Sequence, residues 1–137
     1  MIKLVLDTNT LISGFFWEGN EAELIRKIEN NKAQLFISNE IIDEVESVIK
    51  RPKFRLVLEK TSQTPEQIIS KIISLSHFVT GQKVKDTIKD DPSDEKFISC
   101  AVNAKADYII SGDNHLLNIK NYNSIKIIRT YEILELI

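Results

Sequence analysis

Four short runs rich in β-branched and aliphatic residues, at positions 2–6, 34–38, 108–111 and 125–129, alternate with segments of helical periodicity. That alternation constrains the fold more than any other feature of the chain. Residues 20–30 place Ala22, Leu24, Ile25 and Ile28 on one side, and residues 39–50 do the same with Ile41, Ile42, Val45, Val48 and Ile49. Thr64-Pro65-Glu66-Gln67 supplies a capping hydroxyl, a proline at the first helical position and glutamine at the third, which predicts a helix running to about Ser76. Pro52 ends the preceding helix, and residues 53–60 form a further short one. Residues 77–80 read as a short extra strand. Asp91-Pro92-Ser93-Asp94 reads as a cap for a helix carrying Phe97, Ile98, Ala101, Val102 and Ala104 and ending near Ala106. Strands alternating with helices predict an α/β fold with a mainly parallel sheet flanked by helices, whose ligands gather at the carboxyl ends of the strands.

The chain has 137 residues, a length that suits one domain. With 18 basic against 20 acidic residues, it has no polycationic coat for nucleic acid, so any such contact has to be local. The single cysteine, Cys100, forms no internal disulfide and sits among apolar neighbours as a small hydrophobe. No apolar stretch approaches the roughly 20 residues needed to cross a bilayer, and the start of the chain lacks the character of a signal peptide. These features predict a soluble, cytoplasmic protein without a membrane partner.

Asp7 follows the apolar run Leu4-Val5-Leu6, and Asp113 takes the matching place after Tyr108-Ile109-Ile110-Ser111-Gly112. Glu44 lies in the helix after the second strand, and Asp94 falls in the first turn of the helix leading towards Asp113. All four can converge on one edge of the sheet. Any single Asp or Glu is by default a solvated surface group, and Asp94 has a local role available at its helix terminus. Asp7 and Asp113 resist that reading, since both end buried strands where a charge is costly to desolvate. Clustered carboxylates raise one another's pKa unless a cation neutralises them. Hard oxygen donors without a cysteine or histidine cluster select Mg2+ or Mn2+, ions suited to phosphodiester chemistry with one or two metals.

At these residues the sequence resembles the PIN-domain family. The resemblance rests on Val5-Leu6-Asp7-Thr8-Asn9, on residues 38–45 ending in Glu44-Val45, on residues 91–98 from Asp91-Pro92 to Phe97-Ile98, and on residues 106–113 ending in Ser111-Gly112-Asp113. It implies a three-layer PIN-like domain over residues 1–137, with Asp7, Glu44, Asp94 and Asp113 as a catalytic, metal-binding tetrad. Asn9 and Ser111 match the polar positions that orient it. Family members of this size are commonly Mg2+- or Mn2+-dependent endoribonucleases, toxins held inactive by a small antitoxin protein. An RNA substrate and an antitoxin partner are therefore expected, with a homodimer also open. Asp90, Asp91 and Glu95 compete with Asp94 for the third acidic position, and Asp43 competes with Glu44.

The densest basic cluster, Lys50, Arg51, Lys53 and Arg55, suits RNA phosphates, although basic residues at a helix C-terminus also meet its dipole. Phe15-Phe16-Trp17 reads as a loop after Asp7, anchored in the core and able to stack a base or bind a partner. His115 reads as a surface or packing residue. The alternatives are a non-catalytic binding module of the same fold and a haloacid-dehalogenase-like phosphatase. The phosphatase needs a second aspartate where Asn9 stands. A receiver domain needs an acidic pair after the first strand, where this chain has Asp7 alone.

Overall fold

The computed structural model describes residues 1–84 and 94–137. The elements are β1 (Lys3–Leu6), α1 (Thr8–Phe16), α2 (Asn20–Glu29), β2 (Gln34–Ile37), α3 (Asn39–Ile49), a 3-10 turn (Pro52–Phe54), α4 (Arg55–Lys60), α5 (Pro65–Leu75), β3 (Ser76–Phe78), α6 (Glu95–Ala104), β4 (Tyr108–Ile110), α7 (Asn114–Ile119), β5 (Asn121–Tyr122), β6 (Ile125–Ile128) and α8 (Thr130–Leu134). The strands form one sheet in the order β3-β2-β1-β4-β6-β5. Every neighbouring pair is parallel except β5 with β6.

Successive strand residues face opposite sides of a sheet, so consecutive buried positions mean that both sides are covered. Leu4, Val5 and Leu6 of β1 are all buried, as are Ile109 and Ile110 of β4. The sheet is accordingly mainly parallel and flanked by helices, as the alternating pattern predicts. α6 lies across β1, β2 and β4, and α3 packs on α1, α5 and α6. α6 ends where Lys105 turns into the left-handed region at φ 55°.

From β1 the sheet grows through β2 to β3 on one side and through β4 to β6 on the other. The reversal lies between β1 and β4, where a crevice opens at the carboxyl ends of the two strands. Their register sets Leu6 opposite Ile110, and the Asp7 N–H donates to the Ile110 carbonyl at 3.0 Å. Asp7 and Ser111 therefore leave the sheet side by side.

The predicted Thr64 capping box is present, and the short helix expected over residues 53–60 is divided into a 3-10 turn and α4. The extra strand expected over 77–80 is Ser76–Phe78. The turn and loop expected after Asp7 are instead helical throughout α1. Asp7 accepts from the Thr10 N–H and caps this helix, so Thr8 and Thr10 enter it despite their β-branched character. α7, β5 and α8 are further elements that the sequence reading did not anticipate. The predicted cap at residues 91–93 lies outside the described residues.

Candidate active site

Both strand-end aspartates do two local jobs. Asp7 caps α1 through the Thr10 N–H at 2.9 Å, and Asp113 caps α7 through the His115 N–H at 3.0 Å. An anionic cap satisfies free amides and meets the positive end of the helix dipole, which fixes each carboxylate beside the crevice. Ser111 lies between them. Its hydroxyl donates to Asp7 Oδ2 at 2.5 Å and accepts from the Asp113 N–H at 2.9 Å.

Asp7, Glu44, Asp94 and Asp113 line one cavity of about 200 Å3, with Asn9 and Arg51 at its wall. Asp7 and Asp94 are buried, at 5% and 4% exposure, while Glu44 and Asp113 are half-buried. The competitors stand elsewhere: Asp43 is exposed, and neither it nor Glu95 lines the cavity. Asp90 and Asp91 lie outside the described residues. Asp94 immediately precedes α6 in helical backbone conformation, and its side chain makes no capping hydrogen bond to that helix.

Burial pushes the Asp7 carboxyl above its ordinary value, against hydrogen bonds from Ser111 and Thr10 that favour the charged form; the charge on Asp113 adds to the rise. An anion held there is short of positive charge. The Glu44 carboxylate has both oxygens engaged, one by the Thr8 hydroxyl and the other by Lys96 Nζ at 2.7 Å. Neither Thr8 nor Lys96 was singled out from sequence. Lys96 and Glu44 are 52 residues apart, so no spacing rule joins them.

The all-oxygen donor set suits a hard divalent cation in its chemistry. Among the described residues, however, no three Asp, Glu, His or Cys side chains stand close enough together to hold an ion as they are. Carboxylates spread around a cavity fit an ion that keeps several of its own waters, as Mg2+ does.

A second cleft of about 700 Å3 shares Asp7, Asn9, Ser111 and Asp113 with the acidic cavity and extends to Arg129 and Tyr131. His115 is exposed there. Within the basic cluster, Arg51 reaches the acidic cavity, Lys50 pairs with Glu46 at 3.0 Å, and Lys53 lies 5.1 Å from the Phe54 ring centroid. Arg55 is exposed at the start of α4. Phe15 and Phe16 pack partly against the core, but Trp17 is 52% exposed and rests on Phe16 and Phe54, which corrects the expected core anchoring of all three.

The family described as PIN domain matches residues 3–115, which include strands β1 to β4 and all four carboxylates. The chain belongs to the PIN-domain family. No curated protein matches it. Among solved structures, this PIN domain is similar to a chain in the crystal structure of VapBC2 from Rickettsia felis bound to a DNA fragment from their promoter. The two share 11% identity over 93% of this chain and 98% of that one, with a TM-score of 0.63. At that identity the likeness concerns the fold. PIN domains are generally nucleases that use divalent metal ions, and no helix among the described residues of this one is long and apolar enough to cross a membrane.

Proposed function

We propose that the chain is a metal-dependent endoribonuclease, a single PIN domain over residues 1–137, acting as the toxin of a toxin-antitoxin pair. The observation that carries the reading is the convergence of Asp7, Glu44, Asp94 and Asp113, from four distant parts of the sequence, on one cavity at the switch point of the sheet. A bound Mg2+ or Mn2+ would supply Lewis-acid activation of the attacking water and positive charge at the phosphodiester. Asp7, Asp94 and Asp113 would hold the ion, with Glu44 beside them. Ser111 keeps Asp7 oriented, and Asn9 stands exposed at the mouth. Arg51 is placed to meet a phosphate oxygen, and exposed Lys50, Lys53 and Arg55 extend a basic strip away from it.

RNA is chosen over DNA through the family resemblance, because four carboxylates and a metal do not test for a 2′-hydroxyl. The antitoxin follows from the same resemblance and from the likeness to VapBC2. The phosphatase alternative draws no support from PIN-domain membership.

The test is incubation of labelled RNA and of single-stranded DNA with the protein in Mn2+, Mg2+ or EDTA, beside the Asp7→Asn variant. The expected result is RNA cleavage that needs metal and disappears in the variant. Cleavage that persists in Asp7→Asn would overturn the assignment of the site. If Mn2+ neither promotes cleavage nor raises the melting temperature, the non-catalytic binding module becomes the better reading.

A further inference from the structure

The parallel register that brings Asp7 beside Ser111 continues one strand further. Ile110 stands opposite Ile128, and the Ser111 N–H donates to the Ile128 carbonyl at 3.0 Å, so Asp7, Ser111 and Arg129 leave the carboxyl ends of β1, β4 and β6 in a row. Arg129 begins α8, which sets Tyr131 in its first turn. Both residues line the cleft of about 700 Å3 that opens beside the acidic cavity and shares Asp7, Asn9, Ser111 and Asp113 with it. Tyr131 is 55% exposed. Arg129 is exposed too, its guanidinium donates a long hydrogen bond to Asn114 Oδ1 at 3.4 Å, and it forms no ion pair among the described residues. Both lie beyond the residues 3–115 that the PIN-domain family matches.

A phosphodiester cut at the carboxylates belongs to a strand that continues on both sides of the scissile bond. Arg51 and the basic strip offer it one path, and the cleft offers the other. The cleft falls within the roughly 300–1,000 Å3 of ordinary ligand sites, room for a nucleotide. Its lining also suits one. Arg129 supplies a charge for phosphate, Tyr131 a ring face for a base, and Asn9, Asn20, Asn114 and Glu21 supply donors and acceptors for base edges. A base reaches a ring face and polar side chains together in this way once it has left its stack. Resting on the nuclease reading above, we propose that the cleft seats an unpaired nucleotide next to the scissile phosphate, with Tyr131 stacking its base and Arg129 meeting its phosphate. The substrate class follows: the cut falls in single-stranded RNA rather than within a duplex.

Binding is read in the Asp7→Asn background, so that the strand stays whole, by fluorescence anisotropy of a labelled, unpaired oligoribonucleotide in Mg2+, with melting temperatures measured alongside. Adding Tyr131→Ala is expected to weaken binding about tenfold, whereas Tyr131→Phe, which keeps the ring face, leaves it near the parent. Arg129→Gln is expected to weaken it by a similar factor, about tenfold. An abasic residue scanned along the strand separates the two roles. At the seated position the loss from Tyr131→Ala disappears while that from Arg129→Gln persists. The same strand annealed to its complement should bind at least about tenfold more weakly, with no further loss from Tyr131→Ala. A folded Tyr131→Ala protein that binds as the parent does would overturn the inference, as would a loss that persists at every abasic position. In either case the nuclease reading stands and the cleft is left for another occupant, a segment of a partner protein. Absence of RNA binding in the Asp7→Asn parent, together with absence of cleavage by wild type, would overturn the nuclease reading as well.

Discussion

The Ser111 hydroxyl donates to Asp7 Oδ2 at 2.5 Å across the seam between β1 and β4. Ser111 Oγ also accepts from the Asp113 N–H, so one buried side chain holds the Asp7 carboxylate and the Asp113 backbone together. Its place follows from the parallel register, which makes the residues just after Leu6 and Ile110 neighbours.

Ser111→Ala should therefore damage the site more than its small volume suggests. The Asp113 N–H would lose its partner and Asp7 its strongest hydrogen bond, a loss of about 1–3 kcal/mol if a buried donor is left unmet. Metal affinity is expected to fall about 10–100-fold, the usual effect of removing a group that orients a ligand. Mn2+ titration and urea denaturation measure the two effects separately. Wild-type affinity in the variant would show that Asp7 is held adequately by Thr10 alone.

Asp7→Asn should abolish metal-dependent cleavage while making the metal-free protein more stable near neutral pH. Burial raises the folded-state pKa of Asp7 above 3.8. The stability associated with the protonated carboxyl is present below 3.8 and is lost as pH rises through the raised folded value. Asparagine carries no such loss, and its Oδ1 can still cap α1 through the Thr10 N–H. In EDTA, the melting temperature of the variant should exceed that of wild type at pH 7 to 8, with the gap narrowing towards pH 4. A variant melting below wild type across this range would contradict the desolvation account.

Gly14 lies where α1 packs on α2. A Cβ added there would meet Ile25 Cγ1 at 2.4 Å and the Glu21 carbonyl oxygen at 3.1 Å. Gly14→Ala gains helix propensity but overpacks the contact, and the Glu21 backbone cannot swing aside as the Ile25 side chain can. The expected outcome is a net destabilisation of about 1–3 kcal/mol by chemical denaturation. A variant more stable than wild type would show that the Ile25 side chain repacks without cost.

Strands β1 to β4 and β6, the Thr64 cap and helices α2, α3 and α5 could be read from sequence because local chemistry and burial agree there. α1 was hidden by Thr8-Asn9-Thr10, which reads as a turn when propensity is considered alone. Its apolar positions Leu11, Ile12, Phe15 and Phe16 have helical spacing, and the decisive signal is Asp7 acting as the N-cap. α7 is masked in the same way by Asp113. Asp7 and Asp113 are legible as candidates because strand ends can be counted. The contacts of Glu44 with Thr8 and Lys96 were not, since they join elements that meet only through the tertiary fold. Cys100, by contrast, follows from its apolar neighbours: it is buried, and desolvation pushes its thiol up to about 12.

Asp43 and Glu44 could not be separated by sequence spacing, and their orientations in α3 make them a matched pair for experiment. Glu44 faces the cavity with both oxygens engaged, whereas Asp43 is exposed and outside it. Asp43→Asn should leave cleavage and melting temperature close to wild type, because surface changes away from specific contacts usually stay within about 0.5 kcal/mol. Glu44→Gln keeps the shape but removes the charge that Lys96 faces. The half-buried ammonium then loses its counterion and opposes an incoming metal. Cleavage is expected to fall at least about tenfold, and Lys96→Met in the Glu44→Gln background should restore part of the lost Mn2+ affinity. Equal losses in Asp43→Asn and Glu44→Gln would mean that α3 acts on the site through its packing rather than through the Glu44 carboxylate.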